Sequence, residues 1–133
     1  MNSRFLLDTH IVVRWLYEPK KLSRQQRHVI EDSVRSGESA GVSEISLLEI
    51  ALLTEGRQRL NAKLDDVFHE LDTNPVFRLI PLTTEIAFEV AAMGDFLRDP
   101  SDRVIVATAR VHRLRLLTAD QRIIESALIP VID

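Results

Sequence analysis

Short apolar runs alternate along the chain with longer stretches whose apolar residues return every three to four positions. The short runs have the length of buried strands and the longer ones the period of helices. A first strand is predicted over Arg4 to Leu7, then a helix over Ile11 to Tyr17 that ends near Pro19. The β-branched run Ile11-Val12-Val13 works against that helix. Ser23 and Gln26 have the spacing of a capping box, and the helix they open runs to Ser36 with Gly37 just past its end. Ser39 to Val42 reads as a second strand, Glu44 to Glu55 as a helix stopped at Gly56, and Ala62 to Asp72 as a helix stopped by Asn74-Pro75. Val76 to Leu82 reads as the third strand, followed by helices over Thr84 to Leu97 and Pro100 to His112. Leu114 to Thr118 is a fourth strand, Asp120 to Ser126 a short helix and Ile129 to Ile132 a last strand. Strands alternating with helices imply βαβ units and a parallel sheet. No repeat, linker or low-complexity tract interrupts the pattern, so residues 1–133 read as one α/β domain.

Composition narrows the chemistry. At 45% hydrophobic and 28% charged residues, the chain can bury a core and is not of the disordered class. It has no cysteine, which excludes disulfides, thiolate zinc sites and cysteine nucleophiles and fits a reducing cytoplasm. The apolar run after Met1-Asn2-Ser3-Arg4 is too short for a signal peptide or a membrane span. The formal net charge is −3, whereas a sequence-independent nucleic-acid binder carries a basic excess. Any nucleic acid would have to be held by local basic groups or by metal. The local candidates are Lys20, Lys21, Arg24 and Arg27, and the run Arg110, Arg113 and Arg115, all of which read equally as solvated helix faces.

Four acids stand beside apolar segments: Asp8, Glu49, Asp102 and Asp120. Asp8 follows the first strand, where it reads either as an N-cap or as a ligand at a strand's carboxyl end. Glu49 lies in a helix that is apolar almost all round, the mark of a buried element, and an ionised glutamate there needs an arginine, a metal or a shared proton. Asp102 lies in Asp99-Pro100-Ser101-Asp102-Arg103, a good helix start whose acids have a structural use, at the mouth of the apolar segment Val104 to Ala109. Asp120 follows the fourth strand through Thr118-Ala119, with Thr118 placed to orient a carboxylate or water. Such a set repels itself without a cation, and oxygen-only ligands favour Mg²⁺ or Mn²⁺. The chemistry most often run by a site of this kind is phosphodiester hydrolysis. The parts of other chemistries are missing: there is no P-loop, no G-x-G-x-x-G, no G-x-S-x-G, and no H-x-x-x-H among His10, His28, His69 and His112.

Leu6-Leu7-Asp8-Thr9-His10, Ser43 to Ile50, Asp99 to Arg103 leading into Ala107-Thr108-Ala109, and Leu117-Thr118-Ala119-Asp120 together resemble the PIN domain of VapC-type toxins, in order and over almost the whole chain. The resemblance implies a three-layer α/β/α sandwich around a parallel sheet of four or five strands. It implies a Mg²⁺- or Mn²⁺-dependent endoribonuclease acting on RNA in the cytoplasm, commonly a homodimer, inhibited by a cognate antitoxin. Asp8, Glu49, Asp102 and Asp120 fall on the acidic metal-binding and catalytic positions, and Thr9 and Thr118 on small hydroxyl positions; Asp99, read from the residues as an N-cap, is a weaker candidate for a supporting role. His10 stands where many members carry serine or asparagine. The alternatives are a phosphoryl-transfer domain and a catalytically silent PIN-like binding module. A haloacid-dehalogenase site would want a second acid where His10 stands, and a receiver-like site would want adjacent acids before Asp8 and a late lysine.

Overall fold

The computed structural model describes residues 3–55 and 63–133. Five strands and seven helices alternate along them: β1 (Ser3–Leu7), α1 (Thr9–Tyr17), α2 (Arg24–Ser36), β2 (Ser39–Ser43), α3 (Ile45–Glu55), α4 (Leu64–Thr73), β3 (Phe77–Ile80), α5 (Thr84–Ala92), α6 (Pro100–His112), β4 (Arg115–Leu117), α7 (Gln121–Ser126) and β5 (Val131–Ile132). Local chemistry marks most of these boundaries. The Ser23–Gln26 capping box opens α2, and Gly37, with φ of 72°, closes it in the left-handed conformation that suits glycine. Asp99 caps α6 and Pro100 fills its first turn.

The strands form one parallel sheet in the order β3-β2-β1-β4-β5. Phe5 and Leu7 of β1 join one apolar cluster with Ile11, Ile30, Val42, Ile50 and Leu117. Leu6 joins a second with Ile86, Ile105, Leu116 and Ile123. Residues alternate sides along a strand, so the continuous apolar reading of Phe5-Leu6-Leu7 is that of a strand covered on both faces. Helices α1 to α4 contribute to the first cluster and α5 to α7 to the second, which makes three layers, α/β/α. Gly41 of β2 keeps the second side close-packed: a Cβ there would stand 2.8 Å from the Ile80 methyl.

The chain passes from β1 outward through β2 to β3, then returns to place β4 on the other side of β1. Its direction of travel across the sheet therefore reverses between β1 and β4. At such a switch point the loops leave in opposite directions and open a crevice at the carboxyl ends of the strands.

Three expected elements differ in extent. The helix expected over Thr84 to Leu97 ends at Ala92, because Gly94, at φ of 75°, turns the chain so that Met93 and Leu97 both reach the core. The strand expected over Val76 to Leu82 is confined to Phe77–Ile80; Pro81 has no amide hydrogen to continue a ladder, and the Leu82 amide donates instead to Glu44 Oε1 at 2.8 Å. The last strand is two residues long, bounded by Pro130. The expected helix start at Ala62 and stop at Gly56 lie outside the described residues.

Candidate active site

Asp8 is the first residue beyond β1, and its amide continues the sheet by donating to Leu117 O at 3.0 Å. Its side chain is nearly buried and doubly held: Oδ1 accepts from the Thr9 amide at 2.7 Å and Oδ2 from the Thr118 hydroxyl at 2.8 Å. The capping and functional readings of Asp8 are thus both met, one oxygen serving α1 and the other facing β4. The Thr118 hydroxyl also accepts the Asp120 amide at 3.0 Å. One threonine therefore ties together the chain ends on the two sides of the switch point.

Glu49 reaches the same place from α3. Thr9 Oγ1 donates to Glu49 Oε1 at 2.5 Å and lies 2.8 Å from Ser46 Oγ. A threonine hydroxyl has one hydrogen, so with it given to Glu49 the Ser46 hydroxyl is the donor of the second bond. The order is Ser46 to Thr9 to Glu49. Ser46 is fully buried and was not among the candidates from sequence; the signal that finds it is its spacing of three before Glu49, which puts both on one helix face. The expectation that α3 is buried all round is corrected: Leu48 and Leu52 are exposed and Glu49 is half-buried. Apolarity all round a helix does not specify which side the sheet will cover.

Asp102 lies in the first turn of α6, half-buried, behind the cap Asp99, whose Oδ1 accepts the Asp102 amide at 3.1 Å. Asp120 caps α7 by accepting the Arg122 amide at 2.9 Å, and Arg122 Nε stands 3.6 Å from the same oxygen. Below this layer Gln26 is 2% exposed. Its Nε2 donates to Thr118 O at 3.1 Å and Ile132 O at 3.0 Å, while Oε1 accepts the Ser23 amide at 3.2 Å. The sequence assigned Gln26 only its capping role.

The carboxylates act on one another. Burial pushes the Asp102 carboxyl up to about 7, and Asp99, Asp8, Asp120 and Glu49 all push in the same direction. Burial raises Glu49, opposed by the Thr9 hydroxyl and reinforced by Asp8 and Asp99. Burial also raises Asp8, opposed by the Thr118 hydroxyl, His10 and the Thr9 amide and reinforced by Asp120. His10 is thus near enough to act on both Asp8 and Glu49. Among the described residues no three acids or histidines enclose an ion position, so the convergence is one of charge rather than of closed coordination. The all-oxygen, mutually repelling donor set has the chemistry that suits a hard divalent cation.

These shifts have a consequence for stability. A carboxyl raised in the folded state keeps its proton where the unfolded chain has already lost it. Stability is therefore fully present below the ordinary carboxylate range and is lost as pH rises through the folded value, about 7 for Asp102. In chelator, melting temperature is expected to fall between pH 5 and pH 8 by a few degrees, on the order of 1 kcal/mol after screening at this half-exposed position. Asp102→Asn should flatten that fall, as read by calorimetry; an unchanged slope would mean that the raised acid is elsewhere.

Other candidates lie away from the acids. Arg110 pairs with Glu89 at 2.6 Å, and Arg113 and Arg115 lie at the far end of α6 and the start of β4, opposite the edge that carries Asp8. That run is no local clamp for the site. Lys21 pairs with Glu18 at 2.5 Å, and Arg27 donates to Pro19 O at 2.7 Å. Arg103 donates from Nη2 to Val90 O of α5 at 2.8 Å and makes no ion pair among the described residues. Trp15 packs half-buried against the first core cluster.

Residues 5–127 match the model of the PIN domain family. The chain is 32% identical over 119 residues to ribonuclease VapC22 of Mycobacterium tuberculosis, covering 89% of this chain and 88% of that one. The crystal structure of FitAcB from Neisseria gonorrhoeae superposes with a TM-score of 0.66 at 27% identity, over 97% of this chain and 96% of that one. A toxin–antitoxin complex from Klebsiella pneumoniae contains a chain with a TM-score of 0.67 at 20% identity, over the same shares of the two chains, a likeness of fold.

Proposed function

The chain belongs to the PIN domain family, and we propose that it is a Mg²⁺- or Mn²⁺-dependent endoribonuclease, the toxin of a toxin–antitoxin pair. The observation that carries the reading is the convergence at the sheet's switch point, where Thr9 and Thr118 join Asp8, Glu49 and the Asp120 backbone by hydrogen bonds, and where burial and the neighbouring acids push the Asp102 carboxyl up. A protein gains nothing in stability by pressing acids together there, and the arrangement makes sense as a cation site. The 32% identity to a protein named as a ribonuclease supports the reaction class.

Asp8, Glu49, Asp102 and Asp120 are the residues that would hold the cation, with Thr9, Thr118 and Asp99 supporting them. When bound, it supplies a lowered pKa for water and positive charge against the phosphodiester group. The chain's own contribution is positional. Thr118 and the Thr9 amide hold Asp8 by both oxygens, and the Ser46–Thr9 relay holds Glu49. Ligand orientation of this kind, when disturbed, typically costs about 10–100-fold in metal affinity or activity. In the toxin reading the protein works in the cytoplasm, where its RNA is. Among the described residues no helix is long and apolar enough to cross a membrane. The exposed Leu48 and Leu52 of α3 offer apolar surface for a homodimer or for an antitoxin segment, whose basic side chain would enter the acidic crevice.

Purified protein is expected to cut RNA with Mg²⁺ or Mn²⁺ and to stop with EDTA. The same cations should raise its melting temperature, by about 2.7 kcal/mol of stabilisation at a hundredfold excess over Kd. Expression alone should arrest growth, and co-expression of a small protein encoded beside it should restore growth and co-purify. A folded protein that binds the cation yet cuts no RNA would favour the silent PIN-like module.

A further inference from the structure

Beside the acidic crevice lies a cleft of mixed chemistry. The segment between α5 and α6 carries Asp95, Phe96, Leu97 and Arg98, α7 carries Arg122, and with Asp99 and Asp102 they line a cavity of about 220 Å³, in which two arginines and an aromatic ring stand among three carboxylates. Phe96 is 73% exposed, although its neighbours Met93 and Leu97 are buried. Those two side chains pin the turn at Gly94 and leave the ring facing water. A single exposed ring is ordinary on a protein surface; what sets Phe96 apart from the equally exposed Phe88 is its place on the lining of this cavity beside two arginines.

The two arginines are little used. Arg98 makes no hydrogen bond or ion pair among the described residues. Among the described residues the Arg122 side chain has only the 3.6 Å pair with Asp120, and it is 77% exposed, so the pair is worth little in water. Their placement answers a difficulty set by charge. The protein carries −3 overall and gathers acids where a phosphodiester would have to enter. Cations beside those acids can offset the repulsion, and the basic run at the opposite edge of the sheet cannot. Arginine forks match phosphate oxygens, and an aromatic face stacks on any base. The cavity is below the range of about 300–1,000 Å³ usual for drug-sized ligands, which suits part of a nucleotide, a base or a phosphate, with the rest of the strand outside.

We infer that Phe96, Arg98 and Arg122 form a subsite for the nucleotide flanking the scissile phosphate of single-stranded RNA, the ring stacking on its base and the two guanidinium groups taking the adjoining phosphates. This rests on the nuclease reading above. The probe is a short single-stranded oligoribonucleotide carrying a site that the wild type cuts. It is used in steady-state cleavage and, labelled, in anisotropy on the Asp8→Asn background. Phe96→Ala is expected to raise KM and Kd roughly tenfold, and Phe96→Tyr to restore most of the loss. Arg98→Ala with Arg122→Ala should raise Kd about tenfold or more and lower the slope of log Kd against log salt by about 1–2. Arg115→Ala, one such charge removed at the far edge, should change neither. Wild-type cleavage with KM, Kd and salt slope unmoved in the Phe96 and arginine variants would overturn the subsite and leave the nuclease standing. A wild type that cuts no RNA would overturn both. A change of oligomeric state in Phe96→Ala by light scattering, with RNA binding unmoved, would assign the ring to a protein interface and overturn the subsite.

Discussion

Asp8→Asn is expected to lower the RNA-cleavage rate by about a thousandfold while leaving the melting temperature at or above that of the wild type. Asparagine has the same shape; its carbonyl oxygen can still accept the Thr9 amide and cap α1, while its NH2 group replaces Oδ2 and donates to the Thr118 hydroxyl, which turns to accept. It also removes a carboxylate that is nearly buried and whose ionisation burial and Asp120 oppose. Stability should therefore hold or rise in metal-free buffer. What asparagine cannot supply is the charge, and misplacing or losing one charged group at a hydrolytic centre costs about 10²–10³-fold. Stability and activity moving in opposite directions is the signature of a group held for function. Glu49→Gln should behave in the same way. Retention of cleavage within tenfold in both variants would remove these carboxylates from the reaction.

Gln26→Ala should cost about 3 kcal/mol, close to 10 °C in melting temperature for a chain of this length, the largest stability effect expected of a polar substitution here. The side chain is buried and makes three hydrogen bonds, two of them to carbonyls at the ends of β4 and β5. Its removal leaves Thr118 O and Ile132 O short of a donor in the interior; Ile132 O keeps the Thr118 amide at 3.3 Å. Ser23→Ala, which removes the cap and leaves those two bonds in place, should cost nearer 1 kcal/mol. The contrast between the two separates the capping role from the bracing role. Cleavage should also suffer in Gln26→Ala, because Thr118 both accepts from Gln26 and positions Asp8. Equal melting temperatures for Gln26→Ala and Ser23→Ala would show that the bracing contributes nothing.

The strands, their parallel pairing and the positions of the acids at strand ends and helix mouths were legible in the chain, because period and punctuation are local properties. Phe5-Leu6-Leu7 can be covered only on both faces, Ser23 with Gln26 opens a helix wherever it lies, and Asp8 and Asp120 each follow an apolar strand. What could not be read there depends on residues far apart in sequence. The Thr118–Asp8 bond spans 110 positions, the Thr9–Ser46 contact 37 and the Gln26–Ile132 bond 106. The extent of α5 was misjudged because Gly94 turns only when Met93 and Leu97 both find the core, and α3 because only the sheet decides which face of an apolar helix is covered, leaving Leu48 and Leu52 outside. Arg103 bonds to α5 and the Arg110–Arg115 run lies at the wrong edge for the same reason. The sequence by itself determined which elements form and which carboxylates could matter. Tertiary structure alone decided that they share one field, since a charge acts through distance in space, and the reversal of the chain between β1 and β4 brings the two ends of the sequence to a single crevice.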